Sequence, residues 1–367
     1  MADIMAMLEE LEEEGVIDAV MRNPFAQFGT PENRLLGPTL LPERADDTTS
    51  RNVYMEENIR YRSPIANAGT RYSPVQLKRG VLLGSFLVKL AESDQGSEFT
   101  GEQYDALIRI LDSNRSMEAT ASFVRFLDAT VNLPLIHWNE RARWQAIENC
   151  LVQLRGNNGY QEDVPYSNPA GHRVNAAGTW SSDAYDPYTD IFAMKALLAG
   201  KGYRISRIVT SNAVMAILAG NDKVAARTNR ITVSATGQIS GINSSLNTGI
   251  LNDINAQNDL PPFETYDAMY QTQLGSGRFM TSNSMWFFAT TGQSAEIMNQ
   301  NPDTPRILPN VLGYVGVGRP TGQTGPGRVA ISTFFRNKPP RIENEGWQTS
   351  LPVIQDPEAV AGIKAIS

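Results

Sequence analysis

The chain has 367 residues, a formal net charge of −7, an apolar content of 41%, 29 glycines and 21 prolines. This length suggests two domains or one domain with large excursions, and the glycine and proline content predicts much irregular chain, which excludes a plain helical bundle. The negative balance argues against nucleic-acid binding over the whole surface, and the single cysteine, Cys150, excludes an intrachain disulfide and points to a reducing compartment. No apolar run approaches the roughly 18 residues that span a bilayer, and the N-terminus lacks a signal-peptide pattern, so the sequence predicts a soluble protein made inside a cell, with no membrane contact.

Residues 2–14 place Ile4, Met7, Leu8 and Leu11 on one helical face among glutamates, which predicts a short acidic helix ended by Gly15. From Asn23 to Ser50 no period is sustained, and the stretch reads as an extended arm without a core of its own. Between Val53 and Ala91 the charge changes sign: Arg60, Arg62, Arg71, Lys78, Arg79 and Lys89 occur with no acidic residue between Glu57 and Glu92. Alternation at 59–62 and 75–78, with prolines and glycine between, predicts a long basic hairpin that projects from the body, although composition alone favours an ordinary surface hairpin.

A run from Ser116 puts Phe123, Phe126, Leu127 and Val131 on one face and is expected to stop before Pro134. The clearest helical signal follows from Trp138 to Gly156, where Trp144, Ile147, Leu151 and Leu154 recur at spacings of three and four. Asn139 is its expected cap, Gly156 its expected left-handed end, and Glu140, Arg143, Glu148 and Arg155 its polar side; the rod would be about 27 Å long. Cys150 reads as a small packed residue inside it.

Beyond Gly156 the text predicts strand and turn, then a helix opened by Asp186-Pro187 and closed at Gly200, a buried strand at 204–210, and a further helix capped by Ser211. This succession indicates a mixed α/β unit. Short strands and long loops are expected over 231–258, then strands at 280–290, 313–319 and 329–335, and a final strand or two within 351–366 after the Pro339-Pro340 break.

Chemistry is sparse. The two histidines, His137 and His172, stand at no metal-ligand spacing, and the chain has no GxSxG, no P-loop ending and no GxGxxG, so no cofactor is expected and GRPTGQTGPGR reads as a loop between strands. Asp183, Asp186 and Asp190 are better explained as caps and first-turn charges than as acid–base groups, and His137 as a residue just ahead of a helix.

Five segments together resemble the major capsid proteins of tailed bacteriophages, of the lambda capsid protein E type: RARWQAIENCLVQLRG, DVPYSNPAGHRVNAAGTWSSDAYDPYTDIF, RIVTSNAVMAILAGNDKV, LGYVGVGRPTGQTGPGR and KPPRIENEGWQTSLPVIQDPEAVAGIKAI. The order matches over roughly residues 50–367, with Trp180 followed by Asp186-Pro187 and the stretch from Lys338 to Pro352 the most specific parts. The resemblance implies an α+β chain with the Hong Kong 97-type capsid fold: an N-terminal arm (1–52), an E-loop hairpin (53–97), a P domain (98–185 and 316–367) carrying a spine helix at 138–156, and an A domain (186–315). It further implies a non-enzymatic subunit that self-assembles into pentamers and hexamers of an icosahedral head, enclosing double-stranded DNA without sequence-specific binding. Portal, scaffold and decoration proteins are the implied partners, and a virion assembled in the host cytoplasm the implied location.

Within that frame Arg60, Arg62, Arg71, Lys78 and Arg79 are inter-subunit contact candidates, and Trp144, Ile147, Leu151 and Leu154 are expected to pack the spine helix on the P-domain sheet, leaving its charged face for neighbouring subunits. Competing readings are an encapsulin-like bacterial compartment, a small-oligomer hydrolase using Asp183, Asp186 or His172, and a nucleic-acid binder using residues 58–91.

Overall fold

The computed structural model describes residues 35–45, 52–56, 85–99, 101–103, 105, 109, 116–155, 161–227, 231–233, 239–242, 247–272, 275–290, 312–318, 320, 329–337 and 340–365. The acidic segment 2–14, the body of the basic hairpin and the glycine-rich loop 321–328 lie outside these residues.

A long helical run dominates the middle of the chain. Helix α2 (Ser116–Leu127) passes through a π-turn (Asp128–Asn132) directly into α3 (Leu133–Asn149), so Pro134 does not stop it as expected. Pro134 has no N–H to give the carbonyl of Thr130 and would crowd it; widening the preceding turn, in which the Leu133 N–H reaches back to the Asp128 carbonyl, absorbs that conflict. The helix also ends earlier than the sequence reading placed it. Cys150, at φ 50° and ψ 34°, is the left-handed residue that closes α3, in the role assigned to Gly156.

Leu151 and Leu154 therefore lie on strand β5 (Leu151–Arg155), not on the helix. The segment carries two periods at once. The spacing of Ile147, Leu151 and Leu154 fits a helix, whereas burial of Val152 and Leu154 with exposure of Gln153 and Arg155 is strand alternation. Antiparallel pairing with β6 (Gln161–Pro165) decides for the strand.

Two five-stranded sheets flank this helix. In the first, β17 (Pro340–Ile354) is central: it pairs with β16 (Ala330–Asn337), β15 (Gly313–Gly318) and β4 (Ala91–Phe99), all antiparallel, while β1 (Glu43–Ala45) extends β15 in parallel. Pro340 opens β17, a position where the missing N–H costs no ladder bond, so the strand starts earlier than the Pro339-Pro340 break suggested. In the second sheet the order is β11 (Phe263–Thr265), β8 (Arg204–Thr210), β14 (Ser284–Thr290), β18 (Val360–Lys364) and β7 (Arg173–Asn175). Helices α4 (Tyr188–Gly200), α5 (Asn212–Gly220) and α7 (Thr248–Gln257) bring Tyr188, Ile191, Leu198, Val214, Leu218 and Leu251 into the core with Ile208 and Phe287. Ser211 caps α5 as expected, accepting from the Val214 N–H at 3.1 Å.

The chain passes from β17 to β18 through a single 3-10 turn (Pro357–Ala359), so the C-terminal segment belongs to both sheets. Tyr203 donates to both oxygens of Asp356 at 2.8 and 2.9 Å, and Lys201 pairs with Glu358, fixing that turn on the end of α4. Strands β2 (Asn52–Glu56) and β3 (Ser85–Lys89) pair with each other as a separate antiparallel ribbon, nearer the hairpin's base than the alternation at 59–62 and 75–78.

Helix and first sheet approach closely where Val131 sits over Gly346: a Cβ built on Gly346 would lie 2.2 Å from Val131 Cγ1. Gly346→Ala is therefore expected to lower unfolding stability by about 1–3 kcal/mol through overpacking, measured by chemical denaturation.

Candidate functional site

The long helix turns toward the protein interior Glu140 and Arg143, read from the sequence as its charged face, and Asn139, read as its cap but lying within α3. Asn139, Glu140 and Arg143 are each 0% exposed. Glu140 Oε1 accepts from the backbone N–H of Gly37 at 2.9 Å, the indole of Trp144 at 2.9 Å and the hydroxyl of Tyr266 at 2.6 Å. Its other oxygen faces the Arg143 guanidinium at 3.5 Å. Arg143 also donates to the Leu41 carbonyl at 3.0 Å and to Glu43 at 3.2 Å. Each nitrogen of Arg143 and each carboxylate oxygen of Glu140 thus has a partner, which is the condition for tolerating two buried charges.

The partners come from three parts of the chain. Gly37 belongs to the short helix α1 (Gly37–Leu40), Leu41 and Glu43 to the segment leading into and along β1, and Tyr266 to the second sheet's side, where its ring stacks on Trp144 with centroids 5.2 Å apart. Only glycine fits at 37, since a Cβ there would lie 2.1 Å from Glu140 Oε2. Asn139 accepts from Ser350 at 2.7 Å and exchanges amide contacts with Gln348 at 3.2 and 3.3 Å, and Gln348 donates to the Leu135 carbonyl at 2.9 Å. Burial beside the Glu140 carboxylate drives the Tyr266 phenol well above its usual range, so it is a donor throughout the working pH range.

The far end of the helix is fastened to the second sheet. Arg173 donates twice to the Ile147 carbonyl, at 2.7 and 3.1 Å, serving as a cap for the helix C-terminus while its guanidinium lies over Trp286. Glu148 accepts from the backbone and side chain of Thr281 at 2.8 and 2.7 Å, and burial holds its carboxyl above the ordinary carboxylate range.

Trp144 and Ile147 are fully buried on α3, whereas Leu154 is buried through β5 and Leu151 is half-buried there. Arg60, Arg62, Arg71, Lys78 and Arg79 lie outside the described residues. The residues of the hydrolase reading do not converge. Asp186 pairs with Arg227 and caps α4 through the Tyr188 N–H; Asp183 faces the Asp222 N–H; His172 is fully buried with Nδ1 2.8 Å from the Val360 carbonyl, and burial holds it neutral. Asp190 instead anchors the loop before α4, accepting from Trp180 at 2.7 Å and from Tyr185 at 2.6 Å, the latter phenol pushed up to about 12 by burial and then by that contact. His137 lies within α3 rather than ahead of it, edge-on to Phe279. Among the described residues no His, Cys, Asp and Glu group could hold a metal ion, and no helix is long and apolar enough to cross a membrane.

Glu140 and Arg143 were missed because charge at the flank of an amphipathic pattern reads as solvated. The available signal was the i, i+3 and i, i+4 arrangement of Glu140 with Arg143 and Trp144, two donors placed to meet one carboxylate. Removing the guanidinium leaves that carboxylate buried without a counter-charge, so Arg143→Leu is expected to cost about 3–5 kcal/mol of unfolding stability. Arg143→Lys should recover only part of it, because an ammonium lacks the fork that serves Leu41, Glu43 and Glu140 together.

Comparison with known proteins adds a family to this geometry. Residues 138–303 match the family model for phage major capsid protein E. No curated protein matches the sequence at a significant level. Among solved structures, a phage-related protein of Bordetella bronchiseptica RB50 is 14% identical, with 95% of this chain and 96% of that one covered and a TM-score of 0.53. A protein assigned as the capsid protein of an E. coli CFT073 prophage is 12% identical, with 92% and 94% covered and a TM-score of 0.56. The fold is α+β, of the Hong Kong 97 capsid type. Family model and fold together bear out the resemblance read from the sequence, that to the tailed-phage major capsid proteins of the lambda E type, and set the chain among structural proteins rather than enzymes.

Proposed function

We propose that the protein is the shell subunit of an icosahedral phage head, assembling with copies of itself into pentamers and hexamers that enclose double-stranded DNA. The family match over residues 138–303 carries this reading. The long helix is then the spine helix, the first sheet and its helix the P domain, and the unit around β8 and β14 the A domain. Residues 1–52 serve as the arm and 53–97 as the E-loop. Portal, scaffold and decoration proteins are the expected partners, and the head assembles in the host cytoplasm.

Two features support the assignment in physical terms. Residues 37–43 are held by backbone and side-chain bonds to α3 and β15, as suits an arm whose stability comes from the surface beneath it. The net charge of −7 suits a container, because a strongly basic lining would retain phosphates through counterion release. In this reading Arg60, Arg62, Arg71, Lys78 and Arg79 meet an acidic neighbouring subunit and fix register electrostatically.

Negative-stain microscopy of the purified chain tests the assignment, with spherical particles of uniform size expected and a monodisperse small oligomer contradicting it. Nuclease-protected double-stranded DNA inside particles from infected or induced cells is the further expectation. Arg60→Glu with Arg62→Glu should abolish or misdirect particle formation while leaving the thermal unfolding midpoint of the subunit unchanged; normal particles from that variant would sink the electrostatic role.

A further inference from the structure

The π-turn between α2 and α3 contains an unused titratable group. Asp128 is 0% exposed and so is Asn132, one turn on. Asn132 Nδ2 donates to Asp128 Oδ1 at 2.7 Å, which leaves Asp128 Oδ2 and Asn132 Oδ1 as the two remaining oxygens of the pair. Both are buried, both are acceptors, and neither has a hydrogen-bond partner among the described residues. Among the described residues, those that pack against the pair supply no counter-charge. The row of β17 that faces the helix is Asn344, Gly346, Gln348 and Ser350, and its cross-strand neighbours on β4 are Ser97, Gln95, Ser93 and Ala91. None of these ionises. The first turn of α3 is Leu133, Pro134, Leu135 and Ile136, and the one charged residue of α2 within a turn of Asp128 is Arg125, which is exposed.

We propose that Asp128 is protonated in the folded protein and closes a cyclic acid–amide pair with Asn132. The Oδ2–H of Asp128 donates to Asn132 Oδ1, and the Nδ2–H of Asn132 donates to Asp128 Oδ1. A single proton would turn one of the two unpartnered acceptors into a donor for the other and remove a buried charge in the same step. Asn132 is placed to do this because the widened turn brings residues 128 and 132 together on the face covered by the sheet. The direction of the Asp128 acidity agrees: burial raises its pKa, against the lowering effect of the Asn132 hydrogen bond. The pair thus makes the join between α2 and α3 a proton-linked one.

The linkage has a definite sign. A carboxyl with a raised pKa in the folded state binds its proton more tightly there than in the unfolded chain, so its contribution is most favourable at low pH. That contribution declines as pH rises from the ordinary carboxylate region through the folded-state value, by up to tenfold in the folding equilibrium per pH unit. Asp128→Asn keeps both hydrogen bonds of the ring, through amide–amide pairing, and cannot ionise.

The test is infrared difference spectroscopy of the full-length chain, wild type minus Asp128→Asn, near neutral pH, combined with thermal unfolding across pH. The expected result is a protonated-carboxyl band in the wild type that is lost only above the usual carboxylate range, with the wild-type midpoint falling relative to the variant's over the same interval. Absence of the band near neutral pH, or its loss at an ordinary carboxylate pH, would overturn the proposal. Should the variant fail to fold, isotope-labelled aspartate in the wild type reads the same titration directly: a buried carboxyl protonated at neutral pH supports the pair, and full ionisation of every aspartate refutes it.

Discussion

The buried pair of Glu140 and Arg143 is the constraint on which the arrangement of the chain depends. Two charges withdrawn from water cost several kcal/mol each unless their remaining hydrogen-bonding positions are filled. Here the filling groups are the Gly37 amide, the Leu41 carbonyl, Glu43, Trp144 and Tyr266, drawn from the arm, the helix itself and the side of the second sheet. An apolar contact at the same place would tolerate sliding of the arm along the helix. A carboxylate and a guanidinium with fixed donors do not, so the pair supplies register more than net stability.

The same logic repeats along the helix. Asn139, Gln348 and Ser350 set the position of β17 against α3, and Arg173 and Glu148 set the second sheet against the helix C-terminus. Apolar burial is extensive but nondirectional. These polar contacts choose one arrangement among the several that comparable burial would permit. In the shell proposed above, repeated contacts require copies of like shape, so fixing the relation between residues 37–45, helix and sheets within the subunit would precede any contact between subunits.

Much of the fold was legible in the sequence where one period dominated. The strand at Arg204–Thr210, the Ser211 cap and the helix after Asp186-Pro187 were read from local pattern because local and tertiary preferences agree there. The spine helix was misplaced at both ends for identifiable reasons. Pro134 normally ends a helix, and here a π-turn lets it continue; LVQLR satisfies helical and strand spacing equally, and a non-glycine residue, Cys150, takes the left-handed position between them. The charged hub was legible only in the spacing of Glu140 with Arg143 and Trp144, because Gly37, Leu41, Glu43 and Tyr266 come from segments that sequence alone cannot bring together. Family resemblance, by contrast, was carried by linear segments such as Trp180 to Asp186-Pro187, whose residues turn out to form a compact local structure around Asp190 and Asn221.

If the hub fixes the subunit, then arm, helix and both sheets should open together. Native-state amide hydrogen exchange measures this most directly. The amides of Leu41, Val315, Phe287 and Trp144 are predicted to exchange with one common free energy equal to that of global unfolding. Exchange of Leu41 and Val315 at a free energy well below that of Trp144 and Phe287 would show that the arm rests on the helix without being held by it, and would contradict the account.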